Sequence, residues 1–244
     1  MHRKALVLSY HREVRERLTP QSEDCLKAIY LLSREGKAGT QDIAQSLGIT
    51  SASVTGMLKR LAELQLVSYQ AYKGVQLTAA GESVALEILR HHRIIEAYLH
   101  HSLGVPLEEL HQEADRLEHH ISESLEARLF AALGAPTHDP HGDPIPSLTG
   151  VMPREARRSL MDVRAGETVR VGRLAQNDPS RLAALASLGV VPGTDLEVLE
   201  VDSLGVIRVQ LPDSDSFALG TTVAEGIWVE DEVASALKET PATL

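Results

Sequence analysis

The stretch "LHQEADRLEHH", residues 110–120, sets His111, His119 and His120 among Glu113, Asp115 and Glu118. If the segment is helical, each residue turns by about 100°, so Asp115 lies near 40°, Glu118 near −20° and His119 near 80° from His111. These four side chains then share about 100° of arc at the edge of the Leu110/Leu117 stripe, within reach of a neighbouring element. The segment before it repeats the device, with His92 four residues ahead of Glu96. Seven of the eleven histidines fall between positions 91 and 120, which is concentration rather than scatter. Carboxylates and imidazoles drawn partly out of water need a compensating charge, because desolvating ions is costly. A divalent cation supplies it by taking neutral His nitrogen and carboxylate oxygen together. The alternative is a solvated helix face with i,i+4 pairs. His91, His100, His101 and His120 read that way one by one, whereas the spaced set reads as a metal site. A metallohydrolase is the enzymatic rival, but the chain has no His-Glu-x-x-His pattern and no evident nucleophile, so no enzyme is expected.

Several elements must position these groups. Residues 24–35 carry Leu26, Ile29, Tyr30 and Leu32 at helical spacing. Next, Thr40 is expected to cap a short helix over Ile43, Ala44 and Leu47, ended by Gly48. Thr50 or Ser51 caps another, with Val54, Met57, Leu58 and Leu61 on one side. Two helices about a glycine turn, with small Ala44 at the crossing, read as a helix-turn-helix. "VSYQAYKGVQLT" follows as two alternating runs about Lys73-Gly74, a hairpin that makes the motif winged. From Thr78 a long helix runs to Gly104. A second is expected from Pro106 unbroken to Gly134, with Leu110, Ala114, Leu117, Ile121, Leu125 and Leu129 as its stripe, and such stripes suit packing against a second copy. "GAPTHDPHGDPIPS" reads as a rigid, extended stretch rather than a metal-binding tract, despite His138 and His141. Residues 165–232 alternate short β-type runs with one helix at "DPSRLAALASLGV", as in a small barrel or sandwich.

Composition sets the context. Residues 1–80 hold 11 Lys and Arg against 7 Asp and Glu, while residues 81–244 hold 13 against 27. A basic first third on an acidic body suits one face presented to a polyanion. No apolar run approaches the roughly 20 residues that span a bilayer, so no membrane is expected. The single Cys25 excludes an internal disulfide and fits a reducing cytoplasm.

Taken together, "SEDCLKAIYLL", the winged helix-turn-helix, "HHRIIEAYL", "LHQEADRLEHH", the "GDPIP" turn and the barrel tail resemble the diphtheria-toxin-repressor/MntR family of metal-dependent transcriptional regulators. The resemblance covers about residues 21–232. It implies a mainly α chain with a small β part: a winged helix-turn-helix DNA-binding domain (21–85), a helical metal-binding and dimerisation domain (86–146) and an SH3-like, FeoA-like β-barrel (165–235). The residues themselves add an N-terminal extension (1–20) outside the resemblance, a linker (147–164) and a tail (236–244). Carried over by position, the primary metal site falls on Asp24, Asp115, Glu118 and His119. The second falls on His92, Glu96 and His111, with Asp178 of the barrel. Iron-responsive members have Met and Cys where this chain has Asp24 and Asp115, and manganese-responsive members have acids. Hard oxygen ligands suit Mn(II), with Fe(II) as the alternative. Lys27 replaces a further acid of the manganese-responsive members and Arg181 an amide-bearing barrel ligand, so one or two ions per subunit are expected. Cys25, beside Asp24, is a weaker sulfur alternative.

The expected function is a homodimeric, Mn(II)-activated repressor that binds a double-stranded DNA operator of metal-uptake genes in the cytoplasm. Expected DNA contacts are Thr50, Ser51, Ser53, Thr55, Lys59 and Arg60 of the recognition helix, with Thr40 and Lys73 on the backbone. Gly56 stands where some relatives carry a base-reading glutamine. A winged-helix regulator answering an organic ligand is a further alternative, but it leaves the His/acid set without purpose.

Overall fold

The computed structural model describes residues 18–34, 36, 38–70, 74–175 and 178–230. The chain forms two compact units, one of Met1–Ile95, Ala114–Ala132 and Ile145–Met152, the other of Glu96–Glu113, Leu133–Pro144 and Pro153–Leu244. Among the described residues no helix is long and apolar enough to cross a membrane.

In the first unit, helices α1 (Pro20–Arg34), α2 (Thr40–Leu47) and α3 (Ser51–Glu63) precede a hairpin of β1 (Val67–Gln70) and β2 (Gly74–Leu77). The apolar spacing seen in the sequence becomes the core: Leu26 and Ile29 of α1, Ile43 of α2, and Val54, Leu58 and Leu61 of α3 are fully buried. Gly48 ends α2 in the left-handed conformation, φ 64°, where a side chain would be strained. The cap of α2 is Gly39 rather than Thr40. Its N–H donates to Asp42 Oδ2 at 3.1 Å, the reciprocal half of a capping box, and no cap side chain accepts from the first turn. Thr50 caps α3, accepting from the Ser53 N–H at 3.2 Å. The antiparallel hairpin pairs Val67 with Leu77 and Gln70 with Gly74, and its tip, with Lys73, lies outside the described residues.

The long helix α4 (Ala79–Leu103) packs Val84, Ala85, Ile88 and Leu89 into the same core. A Cβ on Gly81 would come to 1.9 Å from the Leu66 carbonyl oxygen, so only glycine lets the helix lie against the end of the wing. Gly81→Ala should therefore destabilise the protein by about 1–3 kcal/mol, although alanine is the better helix former by about 1 kcal/mol. Urea unfolding of the full chain would show it, and a neutral or stabilising change would contradict the close approach.

The helix expected to run unbroken from Pro106 is two helices, α5 (Leu107–Leu117) and α6 (Glu123–Ala132), joined by a turn over 118–122. Ser122 explains the break: its hydroxyl accepts the Leu125 N–H at 3.3 Å and its carbonyl the Glu126 N–H at 2.9 Å, which starts a new helix. The expected stripe divides accordingly. Leu110 and Ala114 are buried, whereas Leu117 and Leu125 are 41% and 43% exposed.

The second unit holds a six-stranded antiparallel sheet in the order β3 (Arg158–Ser159), β8 (Ile227–Val229), β4 (Thr168–Leu174), β5 (Asp195–Val201), β6 (Ile207–Gln210), β7 (Phe217–Leu219). Helix α7 (Pro179–Ser187) and the short α8 (Thr221–Ala224) complete it. Alternation places Val169, Val171, Leu196, Val198, Ile207 and Val209 in one core. A register shift between Val171 and Arg173 turns Leu174 inward as well. Two readings of the sequence need correction. The supposed linker 147–164 contributes β3, and its Leu160 and Val163 are buried in this core. Residues 138–144 are not extended but form a tight turn: Asp139 Oδ1 accepts from the N–H groups of His141 (2.9 Å) and Asp143 (3.0 Å), and Gly142 has φ 89°. A Cβ on Gly142 would meet the Gly172 carbonyl oxygen at 1.9 Å, so the turn is pressed onto β4.

Candidate metal centre

Helix α1 turns Cys25, Leu26 and Ile29 into the core, which leaves Asp24 and Lys27 on another face. The turn after α5 carries Glu118 and His119. The His119 ring is gripped at both nitrogens: Nδ1 lies 2.6 Å from Glu23 Oε2 and Nε2 lies 3.0 Å from Asp24 Oδ1, with Glu118 Oε1 3.4 Å away. Burial opposes charge on this imidazole, but hydrogen bonds to Asp24 and Glu23 and the charges of Glu118 and Asp24 outweigh it, raising its pKa to about 9. Glu118 is wholly buried. Its Oε1 accepts from Lys27 Nζ at 2.6 Å and its Oε2 lies 2.6 Å from His92 Nδ1. Lys27 also reaches Asp115 Oδ1 at 3.0 Å, and His92 Nδ1 lies 3.3 Å from the same oxygen. Burial disfavours the Lys27 ammonium, yet the charges of Glu118 and Asp115 and hydrogen bonds to both push its pKa upward overall.

Of the four residues placed in the primary site, three converge. Asp24, Glu118 and His119 each offer a ligand atom, all within 4.8 Å of one another. Asp115 stands beside them, held by Lys27 and His92. The three donors fit a divalent cation: two hard oxygens and an imidazole nitrogen, with the His119 ring oriented through Nδ1 by a third carboxylate. That orienting group, Glu23, was not picked out from the sequence. Its only signal is an acid directly before Asp24 at the start of α1. Cys25 is turned into the core, fully buried, and among the described residues it joins none of the His/acid groups. Desolvation, with the charge of Asp24 adding to it, pushes its thiol pKa up to about 12.

Of the residues expected in the second site, His92 Nδ1 lies 2.6 Å from Glu118 Oε2 and 3.3 Å from Asp115 Oδ1, all in the first unit, while Glu96 and His111 belong to the second. There, Glu96, Asp139 and His141, all buried, offer ligand atoms within 4.8 Å of one another. His111 Nδ1 and His141 Nδ1 each lie 3.8 Å from Glu96 Oε1. His141 Nε2 donates to the Leu107 carbonyl at 2.9 Å, which leaves Nδ1 facing the acids. Burial opposes charge on His141, but Glu96, Asp139 and the Leu107 carbonyl raise its pKa to about 9. Four prolines within residues 136–146 suggest an extended chain, which hides Asp139 and His141 in the sequence. Asp178 is engaged elsewhere: it caps α7 through the Arg181 N–H at 3.2 Å and pairs with Arg181 Nε at 2.9 Å. Among the described residues it joins no His/acid group.

On α3, Ser51, Ser53, Lys59 and Arg60 are exposed, and Thr55 is half-buried with its hydroxyl donated to the Ser51 carbonyl at 2.8 Å. Thr50 and Ser53 share a hydroxyl contact at 2.9 Å within the cap. The two cations therefore offer the freer groups, and Thr40 stands half-buried at the first position of α2.

Comparison with known proteins identifies three domains along the chain. The iron dependent repressor N-terminal DNA binding domain matches residues 17–75, the iron dependent repressor metal binding and dimerisation domain residues 78–147, and the FeoA domain residues 158–231. The chain is 31% identical over 226 residues to the iron-dependent repressor IdeR of Mycobacterium tuberculosis (strain ATCC 25618 / H37Rv), covering 87% of this chain and 98% of the relative. It is 34% identical over 105 residues to the HTH-type transcriptional regulator MntR of Lysinibacillus sphaericus (strain C3-41), covering 43% and 75%. A solved manganese-dependent transcriptional repressor in complex with manganese superposes with a TM-score of 0.78 at 36% identity, covering 85% of this chain and 98% of that one. With both repressor domains matched and nearly the full length of IdeR covered, the chain belongs to the iron-dependent repressor family.

Proposed function

We propose that this chain is a homodimeric, Mn(II)-activated repressor that binds operator DNA and controls genes for metal uptake in the cytoplasm. The observation that carries this reading is the convergence of Asp24, from the first helix of the winged domain, with Glu118 and His119 from the turn between α5 and α6. A divalent cation held there supplies the positive charge and directional bonds that fasten α1 to that turn. Asp24 then fixes where α3 stands, and two recognition helices in a dimer acquire a set spacing for half-sites on B-DNA. Lys59 and Arg60 contribute phosphate contacts, with Ser51 and Ser53 adding hydroxyls. The exposed Leu117 and Leu125 supply apolar surface for pairing with a second copy.

Two acids, Asp24 and Asp115, stand where sulfur would favour softer ions, which supports Mn(II) over Fe(II). The similarity to IdeR keeps Fe(II) as the second reading. A second ion suits Glu96, Asp139 and His141, giving one or two per chain.

A labelled duplex recovered by selection from random DNA in the presence of Mn(II) provides the test. Its anisotropy, titrated with protein under Mn(II), Fe(II), Zn(II) or chelator, should report tight binding with Mn(II) and weak binding with chelator. Equal affinity in all four would remove the switch. Asp24→Met combined with Asp115→Cys should move the preference toward Fe(II), and an unchanged ranking would remove the ligand-type basis of selectivity.

A further inference from the structure

The first unit holds another cluster of the same chemistry. Glu87 and His91 stand one turn apart on α4, and Glu123 faces them from the first turn of α6. Their ligand atoms all lie within 4.8 Å of one another. His91 is completely buried, while the Glu123 side chain is 55% exposed, so the imidazole forms the floor of the cluster and the acid its mouth. His91 Nδ1 lies 3.3 Å from the Glu118 carbonyl oxygen, an acceptor that calls for hydrogen on Nδ1. The neutral tautomer then turns the Nε2 lone pair toward the carboxylates, with Glu123 Oε1 and Glu126 Oε2 each 3.4 Å away. An imidazole whose other nitrogen is fixed by a backbone carbonyl is the usual arrangement of a metal-ligating histidine. Glu126 already has a counterion. Its Oε1 accepts from Arg90 Nε at 2.8 Å, and Arg90 is anchored in turn on the Pro146 carbonyl at 2.7 Å. Glu126 is thus committed to Arg90, and Glu87, His91 and Glu123 offer the mixed nitrogen and carboxylate donor set that suits a divalent cation.

We propose that Glu87, His91 and Glu123 form a further divalent-cation site, taking ions such as Mn(II) or Zn(II) through one nitrogen and two carboxylate oxygens. It would clamp α4 to the start of α6. The 118–122 turn carries Glu118 and His119, and His91 holds that turn from beneath through the Glu118 carbonyl. Loading this site therefore stiffens the element that presents two ligands of the Asp24 cluster, a coupling that rests on the function proposed above, whereas the site itself does not.

Equilibrium dialysis of the full chain against Mn(II) and, separately, Zn(II), with bound metal counted per chain, tests it. The variants are Glu87→Gln/Glu123→Gln, which keeps shape and removes both charges, and Asp24→Ala. The expected result is that the double variant binds one equivalent fewer, and that Asp24→Ala loses a different equivalent, additive with the first. If only Asp24→Ala loses metal, this site is overturned and the Asp24 centre stands; if only the double variant does, the reverse holds. Anomalous scattering from a Zn(II)-soaked crystal of the unaltered chain gives an answer independent of how the variants fold. A peak on His91 Nε2 with a carboxylate oxygen beside it supports the site, and a Glu123–His91 contact without a peak overturns it.

Discussion

Asp24→Ala should leave DNA affinity in chelator unchanged and abolish the gain on adding Mn(II). Asp24 is the ligand contributed by α1, and its side chain is 34% exposed, so its loss opens no hole in the core formed by Leu26 and Ile29. Glu118 and His119 remain in place, but nothing from the winged domain completes the set. Coupling between two ligands of this kind is worth about 1–3 kcal/mol, or roughly 5–150-fold in affinity. Anisotropy on the selected duplex reads it directly. A variant that kept a metal-dependent gain would show that α1 is not fastened through Asp24.

Lys27→Met should expose how much the metal-free protein relies on an ammonium among the ligands. Lys27 is 12% exposed and is paired with the wholly buried Glu118 and with Asp115. Removing one partner of a buried pair leaves an uncompensated charge, at about 3–5 kcal/mol. The lower end is expected here, because His92 still hydrogen-bonds Glu118. With the ammonium gone, Asp115 and Glu118 attract cations more strongly, so Mn(II) should restore most of the lost stability by mass action. Thermal unfolding with chelator and with Mn(II) would show a wider gap between the two curves than for the unaltered chain. An equal gap would mean that Lys27 does not share its carboxylates with the cation.

The winged helix-turn-helix and the small β part were legible because they rest on local rules. The i,i+4,i+7 spacing of Val54, Leu58 and Leu61, the Gly48 stop and the period-2 runs of the barrel each follow from the chain's own geometry, and each holds in the structure. The candidate site was legible where one helix face or a family resemblance pointed to it, as at Asp24, Glu118 and His119, whose ligand atoms the fold brings together. What escaped notice depends on contacts between distant segments. Glu23 matters because the α5–α6 turn brings His119 to it across 96 residues of chain. His141 is buried because Gly142 lets the backbone close onto Gly172. The break at Ser122 does not show in the periodicity, because an apolar stripe can continue across a capping serine.

The most direct test is anomalous diffraction from Mn(II)-soaked crystals of the full chain, which locates each ion and names its ligands. An ion bound by Asp24 together with Glu118 and His119 is the expected result. An ion bound by Glu118 and His119 with Asp24 turned away, or no ion near α1 at all, would contradict the idea that metal fastens the DNA-reading helices to the rest of the protein.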